Sequence, residues 1–155
     1  PAPSESDCNA EAALLSDGHS ARTFSDGSTW GDYGNDVFCE WQLQCPADTT
    51  VLIDFSSFET ESNYDFVYLY DAQYHTWVES GVEHTAPEIA RLSGSPSTLR
   101  YASTQRHMRV RFTTDASATR AGWAATFALQ AARRSLASLG GVVESICRCS
   151  WCSSC

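Results

Sequence analysis

The chain has 155 residues, 43% of them hydrophobic and 12% aromatic, which is enough for one domain with an ordinary core. A net charge of −9, with only 10 Lys plus Arg, argues against a nucleic-acid partner, because such partners require clustered positive charge. No apolar run approaches the roughly 20 residues that span a bilayer, and no leader-like pattern begins the chain. Because the sequence opens with Pro1, we expect a processed form or a fragment.

The cysteine content predicts the compartment. Seven cysteines in a chain of this size are typical of an oxidising, secretory setting, so we expect an extracellular or secreted protein. The odd number means that at least one cysteine is free or pairs outside the chain.

The first seven residues are polar and contain proline, and we expect residues 1–7 to form a flexible terminus. The domain then spans residues 8–130. Short runs of alternating apolar and polar residues are separated there by Gly, Pro, Ser, Asp and Asn clusters. This pattern predicts an all-β sandwich or barrel.

Three runs alternate most clearly. Their apolar positions are Cys39, Trp41, Leu43 and Cys45; then Met108, Val110 and Phe112; then Trp123, Ala125, Phe127 and Leu129. Between them, the segment 66–70 is apolar on both faces, which favours a strand that lies in the core. Loops are predicted at 25–36, 45–50 and 93–97.

Residues 131–155 form a linker rich in Ala, Arg and Ser and a cysteine-rich tail. Residues 130–139 are compatible with a helix, which Gly140 and Gly141 would end. The tail cysteines are Cys147, Cys149, Cys152 and Cys155. Four thiolates could hold Zn²⁺, but their crowding disfavours a zinc site and also disfavours two disulfides within the tail. We therefore expect disulfides, with at least one tail cysteine pairing outside the tail, either with Cys45 or with another chain or module. Free thiols are the remaining alternative.

Several segments together resemble the CUB domain family. They are the first cysteine, DGSTWGDYGNDVFCEW, VLIDFSSFETE, YDFVYLYD, the Leu-Ser-Gly triplet at 92–94, and VRFTTD followed by AGWAATF. The resemblance covers roughly residues 8–130. It implies an antiparallel, jelly-roll-like β-sandwich that serves as an extracellular interaction module.

The family usually carries two disulfides. The resemblance implies that the first joins Cys8 to Cys39. The second is missing here, because its two positions fall at Ser62 or Asn63 and at Ser93. The absence of both partners together is consistent with a true pairing in relatives.

Many CUB domains hold a calcium ion at one end of the sandwich. The resemblance places its carboxylate ligands at Glu61, Asp65 and Asp115, with a backbone carbonyl from Ser117 and Tyr33 steadying Glu61. Calcium takes 6–8 oxygen ligands, and the three carboxylates would repel one another without a cation. Arg120 is the only basic residue near either segment.

The alternative for this cluster is an acidic surface loop without a metal. Mg²⁺ is disfavoured by its strict octahedral geometry, and Zn²⁺ by the lack of His or Cys ligands. Possible contacts for a binding partner are Glu59, Tyr64, Tyr74 and Trp77, although edge packing is the favoured explanation for the aromatic residues among them.

No nucleophile elbow or HExxH motif is present, so we expect no enzyme. The favoured function is a calcium-dependent module that binds a basic feature of a partner protein. The alternatives are a carbohydrate-binding module and a structural subunit of an extracellular fibre or coat, with the tail cysteines linking subunits.

Overall fold

The structure is a computed structural model that describes residues 14–15, 21–28 and 31–131. These residues form strands and loops and contain no helix. The strands are β1 (Leu14–Leu15), β2 (Arg22–Ser25), β3 (Phe38–Gln44), β4 (Thr49–Glu59), β5 (Phe66–Tyr70), β6 (Thr76–Glu79), β7 (Val82–Thr85), β8 (Glu88–Leu92), β9 (Arg100–Ala102), β10 (His107–Thr113) and β11 (Gly122–Ala131).

The strands form a sandwich of two sheets and a separate hairpin. The five-stranded sheet has the order β1-β3-β10-β5-β8, and the four-stranded sheet has the order β2-β11-β4-β9. The hairpin is formed by β6 and β7. Pairing is antiparallel as predicted, except that the short β1 runs parallel to β3 at one edge. The all-β sandwich predicted from the sequence is therefore confirmed.

The core lies between the two sheets, where the alternating runs point their apolar residues inward. Trp41, Leu43, Met108, Val110 and Phe112 come from the five-stranded sheet. The facing sheet contributes Val51, Ile53, Phe55, Trp123, Ala125 and Phe127. Trp123 packs edge-on against Trp41 with 5.2 Å between ring centroids, a preferred geometry for aromatic pairs. Burial of these side chains supplies the main driving force for folding.

The expectation that β5 lies in the core is confirmed for one face of the strand. Val67 and Leu69 are fully buried in the core, but the alternate residues lie on the outer face of the sheet. There Tyr68 and Tyr70 stack with centroids 6.1 Å apart, and the Arg91 guanidinium lies 5.2 Å from the Tyr68 ring centroid. Residues 71–87 cover the Tyr70 end of this face. The apolar run therefore forms a strand with two different faces. One face packs in the core, and the other makes aromatic and arginine contacts on the outside of the sheet.

Several predictions concern residues outside the described ranges. These include the flexible terminus 1–7, Cys8 and the tail cysteines. Cys39 is buried and disulfide-bonded, but its pairing with Cys8 stays a prediction. Cys45 is a free, buried thiol among the described residues, and its pairing with a tail cysteine stays a prediction. Gln130 and Ala131 belong to β11 and not to a helix, because they continue the ladder with β4.

Candidate metal centre

The acidic loop between β4 and β5 folds back on itself. Thr60, which is 3% exposed, donates its backbone N–H to the Gly94 carbonyl at 3.0 Å and its hydroxyl to the Asp65 carbonyl at 3.2 Å. The Asp65 N–H donates to the Glu61 carbonyl at 3.1 Å. This turn brings Glu61 and Asp65, four residues apart, to the same end of the sandwich.

Hydrogen bonds join the two positions at which relatives are expected to have the second disulfide. The Asn63 N–H donates to the Ser93 hydroxyl oxygen at 2.8 Å, and that hydroxyl donates to the Glu61 carbonyl at 3.0 Å. Sequence reasoning did not assign these roles to Thr60 and Ser93. The Leu-Ser-Gly triplet at 92–94 was the available signal. The loop is therefore tied to the end of β8 without a covalent link.

Asp115 reaches the loop because β10 and β5 are neighbours in the five-stranded sheet. Phe66 at the start of β5 pairs with Thr113 at the end of β10. The chain just beyond Thr113 therefore lies beside the chain just before Phe66. The Asp115 N–H donates to Asp65 Oδ1 at 2.9 Å, which fixes the two residues relative to each other.

Tyr33 connects both parts of the acidic loop. Its hydroxyl donates to Asp65 Oδ2 at 2.5 Å and accepts the Glu61 N–H at 2.8 Å. Tyr33 thus holds Glu61 through the backbone, while its side-chain partner is Asp65. Burial and the hydrogen bond to Asp65 raise the pKa of the Tyr33 phenol, so it remains a neutral donor.

Glu61, Asp65 and Asp115 converge. One carboxylate oxygen from each lies within 4.8 Å of the others. Oxygens bound 2.3–2.6 Å from a common Ca²⁺ can be at most about 5 Å apart, so this separation fits a calcium ion. Asp65 is fully buried. Among the described residues, no basic side chain forms an ion pair with any of the three.

Glu61 carries the clearest sign of a missing partner. Its Oε2 atom is buried and has no hydrogen-bond partner in the described part of the chain. An unpartnered buried carboxylate oxygen is costly, and a bound cation would remove that cost. The residues present therefore fit a hard cation with oxygen ligands. The Ser117 N–H donates to Asp115 Oδ1 at 2.9 Å, and the role of its carbonyl as a ligand stays a prediction.

The four predicted partner contacts separate into two groups. Glu59 and the 61% exposed Tyr64 lie at the metal end. Tyr74 and Trp77 follow the opposite end of β5. Tyr74 is 54% exposed, whereas Trp77 stacks on His84 with 5.4 Å between centroids and packs against the Tyr70 cluster. The structure brings Glu59 and Tyr64 near the metal end and leaves the other two far from it.

Solved structures with the same fold support the architecture. The extracellular region of zebrafish Gpr126/Adgrg6 matches 81% of this chain with a TM-score of 0.60 and 25% identity, over 15% of its own length. The human MASP-1/3 CUB1-EGF-CUB2 structure matches 80% of this chain, and 43% of its own, with a TM-score of 0.61 and 12% identity. The MASP-1 CUB2 domain bound to Ca²⁺ matches 76% of this chain, and 97% of its own, with a TM-score of 0.57 and 13% identity.

Sequence comparisons agree. Cubilin of Homo sapiens is 38% identical over 111 residues, which are 67% of this chain and 3% of cubilin. A bone morphogenetic protein 1 homolog of Strongylocentrotus purpuratus is 35% identical over 98 residues, 62% of this chain and 14% of that protein. The chain thus spans a small part of these relatives. Residues 8–127 match the CUB domain, so the chain belongs to the CUB domain family of protein-interaction modules.

Proposed function

We propose that this chain is an extracellular, calcium-dependent interaction module that binds a Lys or Arg side chain of a partner protein at Glu61, Asp65 and Asp115. The observation that carries the proposal is the convergence of three carboxylates within 4.8 Å, with a buried Glu61 oxygen that lacks a partner. A bound Ca²⁺ would neutralise their mutual repulsion and complete the site.

The three carboxylates would have different tasks. Asp65 is fully buried and accepts hydrogen bonds from Tyr33 and from the Asp115 N–H, so it would hold the ion in place. Glu61 and Asp115 are half-buried and reach the surface. Their remaining oxygen lone pairs would accept the partner's ammonium or guanidinium group through charge-assisted hydrogen bonds, which are short and directional.

Similar domains and the composition of the chain also support the proposal. A CUB domain with the same fold, that of MASP-1, is described as bound to Ca²⁺. The seven cysteines favour an oxidising compartment, and a similar domain belongs to the extracellular region of Gpr126/Adgrg6. The net charge of −9 would also attract a basic partner over long range.

The test measures calcium affinity and peptide binding on the full chain. We expect Asp115→Asn to weaken calcium binding by about tenfold or more, because affinity depends on the number of charged ligands. Immobilised peptides that contain a single Lys should bind in CaCl₂ and be released by EDTA. The same peptides with norleucine in place of Lys should not bind.

Asp48→Asn is the matched control. It removes the same charge from an exposed turn at the opposite end of β3, and asparagine tolerates the positive φ of 61° there. This variant should bind calcium and peptides like the unmodified chain. Equal calcium affinity for the unmodified chain and Asp115→Asn, or equal binding of Lys and norleucine peptides, would contradict the proposal.

A further inference from the structure

Two aromatic side chains lie on the outer face of the five-stranded sheet, at the end of the sandwich that carries Glu61, Asp65 and Asp115. Phe38 begins β3 and Phe66 begins β5, and both pair with Thr113 of the intervening β10. Neighbouring strands lie about 4.8 Å apart, so the two strands that carry the rings are about 10 Å apart. Thr113 lies between them as a small, half-buried residue. We call Phe38, Thr113 and Phe66 the aromatic slot.

Neighbouring side chains contact the Phe38 and Phe66 rings, which form the walls of the aromatic slot. The Arg111 guanidinium lies 5.3 Å from the centroid of Phe38, and its Nε donates to Glu40 Oε1 at 2.7 Å. On the other side, the Phe66 ring lies 5.7 Å from that of Tyr68. These contacts fix the walls before any ligand arrives, which lowers the entropy lost on binding.

The aromatic slot adjoins two of the three carboxylates along the chain. Thr113 precedes Asp115 by two residues, and Phe66 directly follows Asp65. In an extended chain, side chains two residues apart point to the same side and are separated by about 6.6–6.8 Å. Consider an extended partner segment that lies along the end of β10 with its basic side chain at the carboxylates. The side chain two residues away from that basic residue would lie over Thr113.

The chemistry of the aromatic slot favours an apolar side chain at that second position. Phe38 is 62% exposed, an unusual exposure for a large aromatic residue, and exposed aromatic residues are frequent interface anchors. Arg111 behind Phe38 disfavours a second basic group. Because the strands that carry the two rings are about 10 Å apart, we expect one aliphatic side chain to fit between the rings.

We propose that the aromatic slot selects, in a partner protein, an extended segment with an apolar side chain two residues away from the basic residue. The inference rests on the proposed calcium-dependent binding at Glu61, Asp65 and Asp115, and it adds a sequence requirement to that function. Burial of a leucine side chain in the slot should strengthen binding about tenfold, consistent with partial burial of its apolar surface.

The test is an array of nine-residue peptides in a Gly/Ser/Thr background. Each peptide has one central Lys, and a single Leu is placed in turn at each other position. The full chain is applied in CaCl₂ and in EDTA. We expect the strongest calcium-dependent signal when Leu is two residues from Lys on one side, about tenfold above Leu at the adjacent position.

Phe38→Ala should remove the positional preference for Leu and keep the dependence on Lys and calcium. Because Phe38 is largely exposed, this variant should melt at the same temperature as the unmodified chain. Val78→Ala, which shortens a 71% exposed apolar side chain on the β6–β7 hairpin, should keep the preference.

If binding requires Lys and calcium but does not depend on the position of Leu, the aromatic slot does not select an apolar side chain. The proposed function would then be unaffected. Unchanged selectivity in Phe38→Ala would have the same meaning. Binding that is independent of both Lys and calcium would overturn the proposed function and the slot together.

Discussion

At the scale of single residues, Gly122 and Asp26 determine how β11 begins. Asp26 is 3% exposed, and its Oδ2 accepts the Trp123 N–H at 2.5 Å. Its other carboxylate oxygen accepts the Ser28 N–H at 2.7 Å. Gly122 has φ +84°, and a Cβ atom on it would lie 1.8 Å from Asp26 Oδ2. Only glycine allows the carboxylate to approach this backbone.

Gly122→Ala should therefore lower the free energy of unfolding by about 3 kcal/mol, from backbone strain and the loss of a buried hydrogen bond. The measurement is chemical denaturation at neutral pH. Gly81→Ala is the matched control, because Gly81 also has a positive φ, of 79°, but nothing lies within 4 Å of an added Cβ. It should cost only about 1 kcal/mol. Equal losses for the two variants would show that the contact with Asp26 is unimportant.

At the scale of elements, Glu40 and Arg109 together join β3, β10 and the 71–87 segment. Its Oε2 accepts from Arg109 Nη2 at 2.6 Å, and its Oε1 accepts from Arg111 Nε at 2.7 Å. Arg109 also donates to the Gln73 carbonyl at 3.0 Å, which attaches the 71–87 segment to the sheet. Burial by itself would raise the pKa of Glu40, but the hydrogen bonds from the two arginines outweigh it and lower the pKa.

This lowered pKa predicts a pH dependence. A carboxylate with a lower pKa in the folded state stabilises the fold above its ordinary pKa of 4.5, and this stabilisation is lost as the pH falls through the folded-state pKa. Glu40→Gln should thus be less stable than the unmodified chain at pH 7, and the difference should shrink below pH 4.5. Urea denaturation from pH 3 to pH 7 measures it.

Glu88→Gln is the control for this series. Glu88 pairs with Arg91 at 3.2 Å on the surface, where both side chains are exposed, and such pairs contribute little. The free energy of unfolding of Glu88→Gln should differ little from that of the unmodified chain at every pH. A Glu40→Gln difference that stays constant from pH 3 to pH 7 would contradict the role assigned to Glu40.

At the scale of the whole molecule, the proposed calcium site ties together β4, β5 and the chain after β10. Ca²⁺ at 100 times its Kd would add about 2.7 kcal/mol to the free energy of unfolding by mass action. For a chain of this size, we expect a melting temperature roughly 5–10 °C higher in CaCl₂ than in EDTA. Asp65→Asn should remove most of this difference. An identical melting temperature with and without chelator would contradict calcium binding.

The described residues contain no helix, and therefore none that is long and apolar enough to cross a bilayer.

Much of the fold could be predicted from the sequence. The alternation in β3, β10 and β11 identified the inward residues correctly, because a strand buried on one face must repeat its apolar residues every second position. The spacing of family segments also identified Glu61, Asp65 and Asp115 as a set, and the structure brings their oxygens together.

Other features were decided only by tertiary structure. The run 66–70 is apolar at every position, so its pattern could not show that Phe66, Tyr68 and Tyr70 face away from the core. Hydrogen bonds of Thr60 and Ser93 join residues 30 to 34 positions apart. The aromatic slot exists because β3 and β5 both pair with β10 in one register. Local sequence reports which face of a strand is apolar, whereas register depends on pairing between distant segments, which only the folded chain fixes.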